Sequence, residues 1–186
     1  MVRLAVRPDG WLEGARLRPS PNFDSRPAGA EIDLVIVHGI SLPSGEFGGG
    51  AITRLFCNEL DPSDHPAFRD LGGLRVSAHA LIDRAGRITQ YVSFLDRAWH
   101  AGTSHYRGRP ACNDFSIGIE LEGTDTLPYE RSQYEALADL ARAVMSRWPS
   151  VRPDRIVGHS DVAPGRKTDP GPAFDWEGFR RLLVPA

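Results

Sequence analysis

Lysine is almost missing from this chain. Of its 22 basic residues all but one are arginine, and Lys167 is the exception. Such a bias is ordinarily a matter of genomic composition. Under it, a surviving lysine is expected where a compact ammonium does something a planar guanidinium cannot. Cysteine is scarce as well, with Cys57 and Cys112 far apart in a chain of 186 residues. Two thiols call for no disulfide framework and fit a reducing compartment. No run approaches the roughly 18 apolar residues of a membrane span. The N-terminal stretch has no apolar run suited to an export signal and no lipidation cysteine. A cytoplasmic protein with no membrane partner is therefore expected. An excess of positive charge is also lacking: 22 basic residues stand against 24 acidic ones, a net charge of −2. That excludes a broad electrostatic footprint for nucleic acid. The strings HExxH, CxxC and GxxxxGK[ST] are absent, and with them the commoner metal and nucleotide motifs.

What is there is the composition of a globular protein, 41% hydrophobic and 25% charged. The length fits a single domain spanning 1–186, with 1–30 as an extended N-terminal segment packed on it. Glu31 to Val37 is an apolar, β-branched run that reads as a strand buried on both faces. His38 follows it. Ser41 to Gly50 and Asp61 to Gly73 are loops by composition, with a short helix over Ala51 to Leu60 between them. Val76 to Asp83 and Arg87 to Val92 flank Arg84-Ala85-Gly86, the pattern of a hairpin. Asp96 to Ala111 is irregular. Ser116 to Leu121 alternates as a strand. Tyr134, Leu137, Ala138, Ala141, Val144, Met145 and Trp148 fall at helical spacing. Arg155 to Val157 is a short strand followed by His159, residues 160–173 form a loop, and Asp175 caps a last helix reaching Leu183. Alternating strands and helices with one antiparallel hairpin predict an α/β (mixed α+β) fold. Its single mixed sheet has helices packed on both faces.

Six histidines occur: His38, His65, His79, His100, His105 and His159. His38 and His159 each follow an apolar strand, where loops gather and sites are built. Asp169 lies ten residues past His159 in a proline-stiffened turn. Two imidazoles and one carboxylate, with a fourth position for water, form a catalytic zinc pattern. On residue chemistry alone, structural histidines and a turn-forming Asp-Pro are the favoured alternative.

Longer strings bear on that choice. Val35-Ile36-Val37-His38, Ile40-Ser41-Leu42-Pro43, Gly45-Glu46-Phe47-Gly48-Gly49 and Leu74-Arg75-Val76-Ser77-Ala78-His79 resemble the N-acetylmuramoyl-L-alanine amidase family. So do Arg97-Ala98-Trp99-His100-Ala101-Gly102, the stretch Cys112 to Gly123, and His159 to Pro172. The likeness runs from about Trp11 to Phe179 and is nearest to the family's cytosolic, 1,6-anhydro-muropeptide branch. It implies a mixed sheet flanked by helices, with the zinc site at one sheet edge. It implies zinc as cofactor, with His38, His159 and Asp169 as ligands, Glu120 as the catalytic carboxylate and Lys167 as the catalytic lysine. Glu120 would move the proton of the attacking water and Lys167 would face the oxyanion. One departure is Gly39, where the family pattern has Asn after the first ligand.

Arg75 is a candidate for pairing with a stem-peptide carboxylate, and Trp99 for stacking on the sugar. Each is equally open to an ordinary surface or core reading. His79 and His100 read as structural or supporting residues, and Cys112 as a buried thiol. The function implied is hydrolysis of the amide between 1,6-anhydro-N-acetylmuramic acid and L-alanine in small cytosolic muropeptides. That activity serves cell-wall recycling and indirectly lowers β-lactamase induction. A monomer is expected. The competing expectations are a non-catalytic muropeptide-binding module on the same fold and an amidase that lyses intact wall.

Overall fold

The computed structural model of the protein describes residues 4–183. Met1 to Arg3 of the expected N-terminal segment, and 184–186, lie outside the described residues. The chain runs through β1 (Arg16–Leu17), β2 (Phe23–Ser25), β3 (Leu34–Ile40), α1 (Ala51–Phe56), β4 (Ala80–Ile82), β5 (Ile88–Gln90) and β6 (Asp96–Ala98). There follow β7 (His105–Tyr106), β8 (Arg109–Pro110), β9 (Ser116–Glu122), α2 (Arg131–Arg147), β10 (Ile156–Gly158), α3 (His159–Val162) and α4 (Trp176–Leu183). The main sheet has the order β1-β5-β4-β9-β3-β10. It is mixed: β10, β3, β9 and β4 run parallel, and the β4–β5 hairpin is antiparallel.

Register explains why β3 and β9 look so different in sequence yet both lie at the centre. Val35 and Val37 pair with Ile117 and Ile119, and Ala80 and Ile82 of β4 continue that face through Ile119 and Leu121. Leu137, Leu140, Ala141 and Val144 of α2 and Phe179 of α4 cover them in one buried cluster. Successive residues of a strand point to opposite faces. The other face of β9 therefore carries Ser116, Gly118, Glu120 and Glu122, and all seven residues of β9 are buried. On that face Leu81 joins Ile52, Leu55 and Phe56 of α1. Leu34 and Ile36 pack there with Ala101, Cys112, Phe115 and Val162. The alternation of β9 thus marks an apolar side and a polar side, not an inside and an outside.

Several short elements depart from the reading of the sequence. Asp96 to Ala111, expected to be irregular, contains β6, β7 and β8. The loop expected over 160–173 opens with α3, and Pro66–Leu71 forms a 3₁₀ turn inside Asp61 to Gly73. The N-terminal segment supplies β1, parallel to β5, and β2, antiparallel to β6. These strands span two or three residues and draw their partners from about 70 residues away, so no local period announces them. The buried Gln90 ties the segment down: its Oε1 accepts from Leu12 N (2.7 Å) and its Nε2 donates to Gly10 O (3.0 Å). Both cysteines are free thiols.

Candidate active site

The ends of three adjacent parallel strands bring the candidate residues together. His38 lies near the end of β3, paired with Glu120 near the end of β9. His159 directly follows β10, whose Gly158 pairs with Val37. The turn beyond α3 folds back because Ser160 N donates to Asp169 O at 3.0 Å. As a result Nδ1 of His38 and Nδ1 of His159 stand 2.9 Å apart. Oδ2 of Asp169 lies 3.2 Å from the first and 3.1 Å from the second. These are the three residues that the sequence singled out as ligands.

The far nitrogens of the two rings are also engaged. Nε2 of His159 donates to the Ala101 carbonyl at 3.2 Å, and Nε2 of His38 lies 2.9 Å from Nδ1 of His100. If the ring protons sit on Nε2, both rings turn bare Nδ1 lone pairs toward the carboxylate. Three lone-pair atoms at such separations repel unless a cation lies among them. Ligand bonds of ~2.0–2.1 Å in a tetrahedron put ligand atoms roughly 3.3 Å apart, close to the triangle found here. The donor set therefore fits a metal ion.

The electrostatics agree. Burial pushes His38 down to about 4, against the pull of Asp169, so its ring is neutral near pH 7. Burial likewise holds His79 and His100 well below the ordinary imidazole value. Burial would raise the Asp169 carboxyl, but its close contacts with His159 and His38 outweigh it and hold the group far below the usual range. Glu120 moves the other way. Burial first and the charge of Asp169 second raise it well above an ordinary glutamate, with Lys167 opposing. Its Oε2 is buried with no hydrogen-bond partner among the described residues. Such a carboxylate is poised to take up a proton. Lys167 is exposed, and its ammonium field reaches both Glu120 and His38.

The remaining candidates sit in different settings. Trp99 is half-buried, and its indole N–H donates to Asp24 Oδ1 at 3.2 Å. Arg75 is exposed at the end of the loop before β4. Two contributors escaped the reading of the sequence. Tyr129, from the segment between β9 and α2, donates its hydroxyl hydrogen to the Pro170 carbonyl at 3.0 Å, one residue past Asp169. A Cβ at Gly39 would collide with that hydroxyl, which gives the departure at Gly39 a structural counterpart. Arg26 looks like any other arginine in the sequence. Its guanidinium donates to the carbonyls of Asn113, Asp114, Phe94 and Ser116, bracing the base of the site. No local pattern could have announced either residue, because their partners are carbonyls distant in sequence.

Three residues that could hold a metal ion, with a buried glutamate of raised proton affinity on the same sheet face, are the arrangement a metal-dependent hydrolase uses. The chain belongs to the N-acetylmuramoyl-L-alanine amidase family, whose model matches residues 28–172. It is similar to a 1,6-anhydro-N-acetylmuramyl-L-alanine amidase of Escherichia coli, 58% identical over 94% of this chain and 94% of that one. The corresponding Citrobacter freundii protein is 55% identical over 96% of this chain and 95% of its own length. Among solved structures, a selenomethionine derivative of AmpD superposes with a TM-score of 0.92 at 55% identity, covering 95% of this chain and 98% of that one. The protein is an amidase with a mixed α/β fold. Among the described residues no helix is long and apolar enough to cross a membrane.

Proposed function

We propose that the protein hydrolyses the amide between 1,6-anhydro-N-acetylmuramic acid and L-alanine in small muropeptides. It would act as a cytoplasmic monomer in cell-wall recycling, with zinc held by His38, His159 and Asp169. The observation that carries this reading is the triangle of two Nδ1 atoms and one carboxylate oxygen, with Glu120 in register with His38 on the same sheet face. The activity of the relatives that match nearly the whole chain, 1,6-anhydro-N-acetylmuramyl-L-alanine amidases, supports the choice of substrate.

Zinc, when bound, polarises the scissile carbonyl and lowers the pKa of a water toward ~7. The chain's own residues do the rest. Glu120 accepts a proton from the attacking water as the water oxygen bonds to the carbonyl carbon. Its raised affinity for a proton suits that step and the next, delivery of the proton to the L-alanine nitrogen as the C–N bond breaks. The products are the anhydromuramic carboxylic acid and the free peptide amine. Lys167 places an ammonium beside the oxyanion that forms on the carbonyl oxygen. Arg75 takes a stem-peptide carboxylate in a bidentate grip, and Trp99 walls the sugar.

The test is incubation with purified anhydro-muropeptides and, separately, with intact sacculi. Products are identified by mass spectrometry and zinc per chain is measured. Anhydro-N-acetylmuramic acid and free peptide, from protein carrying about one zinc per chain, are the expected result. Comparable rates on sacculi would point to a wall-lytic enzyme. Full activity in rigorously metal-free protein would remove the zinc assignment.

A further inference from the structure

Each of the two imidazoles in the proposed metal site has a second nitrogen to satisfy, and the chain satisfies them differently. For His159 the partner is a main-chain carbonyl, that of Ala101. A carbonyl can only accept, so it holds the ring with its proton on Nε2 and Nδ1 bare. For His38 the partner is another imidazole, Nδ1 of His100, at 2.9 Å. An imidazole can donate or accept, so the arrangement is complete only if His100 itself is held in one tautomer.

The surroundings of His100 supply that constraint. If His38 holds a metal through Nδ1, the reading proposed above, its only ring proton is on Nε2. Two N–H groups cannot face each other at 2.9 Å, so Nδ1 of His100 is bare and accepts. The proton of His100 then sits on Nε2, where the Ser116 hydroxyl oxygen lies 3.4 Å away. His79, whose ring is 5.6 Å from that of His100, is occupied elsewhere. Its Nδ1 accepts from Gly118 N at 2.9 Å and its Nε2 donates to Asp96 O at 3.1 Å.

The sequence makes room for this ring and anchors it. A Cβ at residue 118 would collide with the His100 imidazole, so the glycine in the centre of β9 is the space the ring occupies. Asn113 Oδ1 accepts from the backbone N–H of both His100 (3.3 Å) and Ala101 (2.8 Å). One amide oxygen thus fixes the two consecutive residues that provide the acceptors for His38 and His159.

We propose that His100 is a positioning residue of the metal centre: its Nδ1 accepts the Nε2–H of His38 and holds that ring in the tautomer that leaves Nδ1 for the metal. Partners of this kind commonly tune metal affinity by an order of magnitude or more.

Two measurements on the full chain test it. In zinc-loaded protein with ¹⁵N-labelled histidine, imidazole NMR should find His100 in a single tautomer, protonated at Nε2, with Nδ1 bare and hydrogen-bonded. A proton on Nδ1, or on both nitrogens, overturns the proposal. The second is zinc affinity by competition with a chelator. His100→Leu keeps the bulk and loses the acceptor, whereas His100→Asn puts an amide oxygen at the position of Nδ1. We expect His100→Leu to bind zinc ~10–100-fold more weakly and His100→Asn to stay within about threefold of wild type. Equal affinities for wild type and His100→Leu overturn the proposal. If His100→Leu does not fold, the NMR measurement on the wild type decides. Wild-type protein that takes up no zinc would instead overturn the metal reading on which this inference rests.

Discussion

His38 and Glu120 face each other across the parallel register of β3 and β9. One side chain sets a ring nitrogen beside a second imidazole and a carboxylate. The other ends in an oxygen with no protein partner. Sheet pairing alone therefore sets the distance between the proposed metal ligand and the proposed proton carrier. Neither depends on a mobile loop for its placement, and a rigid scaffold is what precise catalytic geometry requires.

Glu120→Gln should keep zinc and lose turnover by ~10²–10⁴-fold, the usual contribution of a general base. The same change should stabilise the metal-free protein near neutral pH. Folding favours the protonated form of Glu120, a contribution fully present below about 4.5 and lost as pH rises through the raised folded value. Above that value an ionised, buried carboxylate weakens the wild type, and glutamine removes the charge. A gain on the order of 1 kcal/mol corresponds to a Tm rise of about 2–4 °C, shrinking toward pH 4.5. Loss of zinc in this variant would make Glu120 a ligand or a ligand support.

Lys167→Arg should be nearly as damaging as Lys167→Ala. An ammonium on a flexible stem approaches one oxygen closely, while a guanidinium is larger and prefers two acceptors. Loss of one oxyanion donor commonly costs ~10²–10³ in turnover. Turnover of both variants, with zinc occupancy checked, decides. If the arginine variant retains more than roughly a third of wild-type turnover while alanine falls ~10²-fold, charge alone suffices at this position.

Metal-free protein should lose stability as pH falls from about 6.5. His38, His79 and His100 are held neutral by burial, His38 down to about 4. A depressed folded value means that the contribution is complete above the unfolded value of ~6.5 and is lost as pH falls through the folded one. Each ring adds up to about 1.4 kcal/mol per pH unit to the slope, with Glu120 opposing as a single group. Urea unfolding between pH 7.5 and 4.5 measures it. A flat profile over that range would show that the three rings charge without penalty.

Tyr129→Phe keeps the ring and removes one hydrogen bond, leaving the buried Pro170 carbonyl without its donor. The expected loss is ~1–3 kcal/mol of stability, together with weaker zinc binding, because Pro170 is bonded to Asp169. Unchanged zinc affinity in a destabilised variant would confine Tyr129 to holding the fold.

How far these features could be read without coordinates varies with their range along the chain. The polar side of Ser116 to Glu122 is visible as alternation, yet its burial follows from β3 and β4 on either side, which no local pattern records. Lys167 stands out by count alone. The trio of candidate ligands emerges from a motif, and its geometry depends on the Ser160–Asp169 hydrogen bond that closes the turn. The role of Arg26 is hidden because its acceptors are main-chain carbonyls at Phe94 and over 113–116. β1 is hidden because two residues carry no period. Trp99 reads equally well as a sugar platform or a core ring, and its bond to Asp24 shows that one edge of the indole already has a polar partner.

The outermost strands of the main sheet are β1, of two residues, and β10, of three. Long unpaired edges are templates on which other chains polymerise. Here the long central strands, which would make the best templates, are flanked on both sides, and each rim is cut short within a few peptide groups. The N-terminal segment therefore acts as a selvedge: by laying Arg16 and Leu17 along β5 it finishes the fabric on one side, and shortening the chain past them would leave a raw border open to fraying and self-association.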